Sequence, residues 1–376
     1  MVVVRVCFVS LVDFMYDLLL KKPDTKTGGA ELQQLLLSRA FLQEGMDVEF
    51  LVPAKANRAP ASTTEGIRVN AGISPARGLK YIRALSPVLS TIRSLRRINA
   101  DLYYMWLPGR GSSTVALYCI LKRIPYVFAV MSNMDVDGTA EARLGKVDRL
   151  LYRFAVKHAA LVTAETRHEL DLLQENFGRK GMLVRNLCPV PEDADAETKR
   201  DIILWVGSFR GVKRPGIFVD LAARMPEYTF VMVGGPHESN TELYSDAVER
   251  ARELPNLNMT GQLSLSETAA YYKKALLLVL TSSSEGFPNV MLEAWRVGTP
   301  AVSTFDPDGM LCRYGLGCYC EDADGLEAGV RTLMADDDAR LEIGARAIKY
   351  VREHHDPDRI AGRVMECMRE IVQGRR

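Results

Sequence analysis

Apolar residues along this chain fall into short runs, separated by longer stretches with helical spacing. The run at 2–10 closes on Ser10 and predicts a buried first strand. In 30–44, Leu32, Leu35, Leu36 and Ala40 recur at the spacing of one helix face, and Gly45 follows where helices commonly stop. Runs at 48–52, 102–105, 126–130 and 161–164 read as further buried strands, with a helix over 147–157.

The pattern breaks near residue 190. Cys188, Pro189, Val190 and Pro191 make a rigid stretch, and 192–201 is polar and charged, as a linker would be. It then restarts, with a strand at 202–206, a helix at 217–224 and a strand at 230–233 that closes on Gly234, Gly235 and Pro236. Two more strands, 276–281 and 301–304, flank another helix, and 356–373 is a last helix. Strands alternating with helices imply parallel sheets with right-handed crossovers. The expectation is therefore an α/β chain with two Rossmann-like, doubly wound domains, 1–190 and 191–355, facing a cleft. The helix of 356–376 would pack back on the first. Ligands of such sheets bind beyond the carboxyl ends of the strands.

The length of 376 residues fits two cores better than one. A net charge of +1 speaks against a nucleic-acid binder. One local patch is basic: Arg77, Lys80, Arg83, Arg93, Arg96 and Arg97 surround the apolar run 81–98. Residues 78–98 either dock on an anionic membrane surface or form a helix packed on the sheet with solvated charges. Seven cysteines, an odd number without metal-site spacing, read as free thiols of a reducing compartment, and no metal is expected. Asp13 and Asp17 interrupt the N-terminal apolar stretch and the basic Lys21 and Lys22 follow it, so a strand explains it better than a signal peptide. A cytoplasmic protein, peripheral at the inner face of a membrane if 78–98 docks there, is the expectation.

Three segments carry chemistry. Thr27, Gly28, Gly29, Ala30 and Glu31 follow the first strand and open a helix, where amides and absent side chains favour an anion. The segment 206–215 follows a strand of the second half: Gly207 and Ser208, then Arg210, Lys213 and Arg214, cations suited to a diphosphate. The third runs from Ser282 to Ala294 between strand and helix. There Glu285 can accept hydrogen bonds from sugar hydroxyls, and Gly286, Phe287, Asn289 and Val290 supply the amides of a helix start whose first turn Pro288 suits. Glu293, one turn on, can bind a ribose diol. The bland alternatives are a glycine loop, a solvated basic turn, a helix cap and a surface salt bridge. Gly261, Gln262 and Leu263 edge a nucleotide base or form a plain turn.

At these residues the chain resembles the retaining GT-B glycosyltransferases of glycosyltransferase family 4. Glu285 to Glu293 matches that family's Glu-x7-Glu motif, Lys213 its diphosphate lysine, and Gly28 and Gly29 its N-terminal glycine loop. The resemblance implies a nucleotide-sugar donor, UDP-linked before GDP-linked, and a glycan, lipid-linked or small-molecule acceptor. It implies that Glu285 orients the donor sugar, that Glu293 binds the ribose, and that no cofactor is needed. Asn133 and Asp135 fall on the acceptor side. Ser208 stands where the family usually has arginine, and no histidine lies near 131–135; Arg210 is the substitute cation. Rival readings are a metal-dependent transferase using Asp135 and Asp137 or Asp306 and Asp308, a GT-B-shaped sugar-nucleotide epimerase, a nicotinamide dehydrogenase, and a non-catalytic binding subunit.

Overall fold

A strand of consecutive apolar residues has no polar face to give to water, so both its sides must be covered. The computed structural model describes residues 3–22, 28–55, 58–74, 80–192, 199–237 and 240–374, which divide into two compact units, Met1–Leu187 with Pro357–Arg376, and Cys188–Asp356. Thr27, Arg77 and most of the 192–201 segment lie outside the described residues.

The first unit is built on β1 (Arg5–Val9), β2 (Asp47–Pro53), β3 (Ala61–Thr64), β4 (Ile67–Ile73), β5 (Leu102–Trp106), β6 (Tyr126–Val130), β7 (Leu161–Ala164) and β8 (Met182–Leu183). Among the described residues the order is β3-β4-β2-β1-β5-β6-β7-β8. All neighbours are parallel except β3 and β4. That hairpin escaped the periodicity because β3, Ala-Ser-Thr-Thr, is polar and its residues are all at least partly exposed. β5 and β6 are buried along their whole length. One face of the sheet is covered by the helices Lys80–Ile98, Arg110–Lys122 and Lys146–His158, whose inward residues share a core with Tyr103 and Phe128.

The other face carries Phe8, stacked on Phe50 with centroids 5.0 Å apart, and the helix Gly29–Gln43. The helix Pro357–Gln373 packs into the same core through Ile360, Val364, Met365 and Met368. The last segment of the sequence therefore completes the unit formed by the first.

The second unit contains β9 (Ile202–Val206), β10 (Phe230–Val233), β11 (Leu257–Gly261), β12 (Ala275–Leu280), β13 (Ala301–Ser303) and β14 (Gly317–Tyr319). They form a parallel sheet ordered β11-β10-β9-β12-β13-β14. The order reverses between β9 and β12, so their carboxyl ends flank the switch point where such sheets bind ligands. Among the described residues no helix is long and apolar enough to cross a membrane. All seven cysteines are free thiols.

Met368 is fully buried. Met368→Ala is expected to destabilise the first unit by about 2–4 kcal/mol, seen as faster hydrogen exchange of the β1 and β5 amides with the second unit unchanged.

Candidate functional site

At the carboxyl ends of β9, β10 and β11 the backbones approach more closely than side chains would allow. The Gly207 amide donates to the Val233 carbonyl at 3.0 Å, and the Gly234 amide to Gly261 at 2.9 Å. Gly234 has φ +154°, and a Cβ placed there would lie 1.8 Å from the Gly207 carbonyl oxygen. Only glycine fits. The Phe209 amide then reaches the Gly235 carbonyl at 3.2 Å, and Gln262 packs over Gly235. Gly207, Gly261 and Gln262, expected from the sequence, therefore meet in one place. Gly234 and Gly235 join them; the glycine pair closing a strand was the signal for that role, and the motif reading passed over it.

The loop after β9 is tied to the loop after β12. Gly211–Lys213 form one 3-10 turn, and Arg214 takes a left-handed conformation, φ +44°, before Pro215 opens the next helix. The Arg214 guanidinium donates to the Thr281 carbonyl at 2.6 Å, the Ser282 carbonyl at 3.2 Å and the Thr304 hydroxyl at 2.6 Å. The Ser283 amide donates to Val212 at 2.8 Å, and the Trp205 indole to the Thr281 hydroxyl at 3.1 Å. Arg214 thus corrects one expectation. It is no cation at a loop tip but a strut joining the ends of β9, β12 and β13.

The strut sets Lys213 against Glu285. The Lys213 ammonium donates to Glu285 Oε1, with the two side chains only 12% and 14% exposed. Two residues 72 apart in sequence, singled out from separate motifs, form one shielded ion pair. Arg210 is exposed at the start of the same turn, its carbonyl accepting from the Lys213 amide at 2.9 Å. Ser208 is half-buried.

The helix Asn289–Trp295 starts at Pro288 with no side-chain cap. The Phe287 ring is buried against Trp295 and His355, with centroids 6.4 and 5.0 Å away. Phe287 was expected to serve the donor through its backbone amide, and its ring belongs to the core. Val290 and Leu263 likewise pack on the core. Glu293 pairs with Arg296 at 2.6 Å, and Arg296 also donates to the Pro189 carbonyl at 3.1 Å. Burial pushes the Glu293 carboxyl up, and the Arg296 charge opposes it.

The remaining predicted residues belong to the first unit. Gly28 is the extended residue before the helix Gly29–Gln43, and the Glu31 carboxylate lies 2.0 Å from where a Gly28 Cβ would be. After β6, Asp135 is buried and accepts a hydrogen bond from the Met131 amide at 3.0 Å. The Tyr152 hydroxyl donates to its carbonyl at 2.7 Å. Burial pushes the Asp135 carboxyl up to about 6. Asn133 is buried beside it, its Oδ1 without a partner. A small cavity that the sequence did not suggest lies nearby, lined by Gln33, Gln34, Tyr104, Met131, Glu165 and Asn186. Gln34 is fully buried there with neither end of its amide paired.

Three of the four aspartates of the metal-dependent rival, Asp135, Asp137 and Asp306, accept hydrogen bonds from backbone amides. Asp137 accepts from Thr139 at 2.7 Å, and Asp306 from Leu311 at 2.8 Å and Cys312 at 3.3 Å.

Comparison with known proteins matches both units to one kind of enzyme. Residues 191–350 match the family described as Glycosyl transferases group 1, and residues 28–186 match the Glycosyl transferase 4-like domain. The lipopolysaccharide core biosynthesis glycosyltransferase LpsE of Rhizobium meliloti (strain 1021) is 26% identical, over 85% of this chain and 90% of its own. The Vi polysaccharide biosynthesis protein VipC/TviE of Salmonella typhi is 36% identical over 37% of this chain, and that match spans only 26% of the relative. Among solved structures, sucrose-phosphate synthase from Thermosynechococcus elongatus superposes with a TM-score of 0.79 at 16% identity, covering 98% of this chain and 99% of that one. Anabaena Alr3699/HepE, in complex with UDP and glucose, gives 0.75 at 15% identity, over 98% and 100%.

A carboxyl raised by burial binds its proton more tightly in the folded than in the unfolded state. Stability should therefore fall as pH rises through about 4 to 6 on account of Asp135, by on the order of 1–3 kcal/mol. Asp135→Asn should flatten that part of the stability–pH curve, measured by denaturant titration at stepped pH.

Proposed function

This chain belongs to the group 1 glycosyltransferases and has the GT-B fold, and on that premise we propose that it moves a hexose-type sugar from a nucleotide-sugar to a glycan, lipid-linked or small-molecule acceptor with retention of configuration. The observation that carries the reading is the Lys213–Glu285 pair at the carboxyl ends of β9 and β12. A shielded carboxylate and a shielded ammonium hold each other in place until a ligand offers each a better partner. A donor diphosphate is a partner for Lys213. Its arrival frees Glu285 to accept hydrogen bonds from the hydroxyls of the sugar.

With Arg214 engaged as a strut, Arg210 is the second cation of this loop for the diphosphate, the role left vacant by Ser208. Gly207 and Gly234 close the strand ends on each other, Gly261 leaves backbone open to the nucleotide, since a side chain there would meet only the Tyr244 hydroxyl at 3.8 Å, and Gln262 edges its base. Glu293 keeps Oε1 for the ribose diol while Oε2 holds Arg296. UDP is favoured over GDP, because the related Anabaena structure is a complex with UDP and glucose.

The reaction on this reading breaks the bond from the sugar anomeric carbon to the diphosphate oxygen. The acceptor oxygen forms its bond to the same face of that carbon, and its proton passes to the departing phosphate oxygen. Charge grows on the diphosphate as it leaves. Lys213, Arg210 and backbone amides, already in place, stabilise that charge without reorganising.

Glu285→Gln and Lys213→Ala should each lower transfer at least about a hundredfold, with the far-ultraviolet circular dichroism unchanged. Near-normal rates in both would defeat the assignment. A thermal-shift and hydrolysis screen over nucleotide-sugars identifies the donor, and analysis without acceptor separates transfer from epimerisation.

The cations and amides of the site replace a metal on this reading. Transfer should therefore persist in excess EDTA, and a loss restored by added divalent cation would revive the metal-dependent mechanism.

A further inference from the structure

The three helices that cover one face of the first unit's sheet have outer surfaces unlike the rest of the protein. Helix Lys146–His158 turns Tyr152, Ala155 and Val156 into the core. Its outer side should then be polar. Instead Val147 and Leu150 are each 68% exposed, with Leu151 and Phe154 also in water. The spacing 147, 150, 151, 154 is that of a helix face, so these four make one apolar stripe.

The neighbouring helices continue it. Helix Arg110–Lys122 packs against Lys146–His158 on one side and Lys80–Ile98 on the other. It exposes Leu117 and Leu121, the latter at 74%, and helix Lys80–Ile98 exposes Leu85 and Leu89. Isolated apolar residues on a surface need no explanation, but a set on three touching helices marks an interaction site.

The charge of the same surface is one-sided. The three helices carry eleven Lys and Arg and a single carboxylate, Asp148, in a protein whose net charge is +1. Asp148 is taken by Arg110 at 3.0 Å. Arg93, Arg96, Arg97, Lys122, Lys146 and Lys157 are exposed, and Asp148 is the single carboxylate on these three helices to face them.

We infer that this three-helix face docks on an anionic lipid surface, with the stripe of helix Lys146–His158 entering the headgroup region and the exposed cations meeting lipid phosphates. Apolar residues interleaved with cations on a face lying in the interface plane are the pattern of monotopic membrane binding. A second copy of the chain is a poor occupant, since self-docking would set these cations against one another. A soluble polyanion would use the cations and leave Leu150 and Phe154 in water. The sequence pattern pointed to 78–98; the exposed apolar surface has its centre about two helices away, on 146–158. This inference does not depend on the donor site in the second unit.

The test is sedimentation of the whole protein with vesicles of phosphatidylcholine alone and with about one-third phosphatidylglycerol, at low and high salt. Binding to the anionic vesicles only, weakened by salt, is the expected result. Leu150→Ser with Phe154→Ser, and Arg96→Glu with Lys146→Glu, alter exposed positions and should leave the fold and soluble-acceptor transfer intact. Each pair should lower vesicle partitioning about tenfold or more. Protein that stays in the supernatant overturns the inference. So does vesicle binding unaffected by the Leu150 and Phe154 pair, or a dimer in sedimentation velocity that the same substitutions abolish.

Discussion

The second unit's site depends on one side chain, Arg214. Parallel strands deliver their loops to a common edge, but nothing in a parallel sheet fixes one loop against the next. Arg214 does this with a planar fork of donors, spanning two carbonyls after β12 and a hydroxyl after β13 while rooted after β9. Lysine, a single point donor, could not span the three acceptors at once. The left-handed backbone of Arg214 is unusual for a residue with a side chain, and the three hydrogen bonds offset its cost. With the loops fixed, Lys213 and Glu285 meet as a shielded pair instead of two solvated charges.

Glycine supplies the complementary constraint. Where Arg214 pulls loops together on one side of β9, Gly234 lets β10 close against Gly207 on the other. One device adds contacts and the other removes atoms. Between them the ends of four adjacent strands, β10, β9, β12 and β13, are set relative to one another.

Much of this was legible in the sequence, for identifiable reasons. Strands buried on both faces are short apolar runs whose length and flanking glycines mark them, so β1, β5, β6 and β9 were readable. The polar strand β3 was not, because its pairing with β4 comes from a neighbour and not from its own pattern. Glu285 and Lys213 stood out by motif. Their contact did not, since proximity across 72 residues belongs to topology. Arg214 was misread, and the place of the Phe287 ring was not visible, for a shared reason: residue type shows what a side chain can do, while the fold decides whether it faces ligand or core. The same holds for the basic run near 78–98, where charge was visible in one segment but the adjoining apolar stripe is assembled from three.

The interrupted first unit has a consequence for how the protein is made. Residues 188–356 are contiguous, so the ribosome finishes that unit in one stretch, and its sheet can close while synthesis continues. The first unit cannot do the same. Ile360, Val364, Met365 and Met368 belong to its core and emerge last, so the apolar surface beside Phe8 and Phe41 stays without its cover while some 170 further residues are translated. The half that begins first is completed last, and a nascent chain stalled before residue 357 would present that bare surface to chaperones.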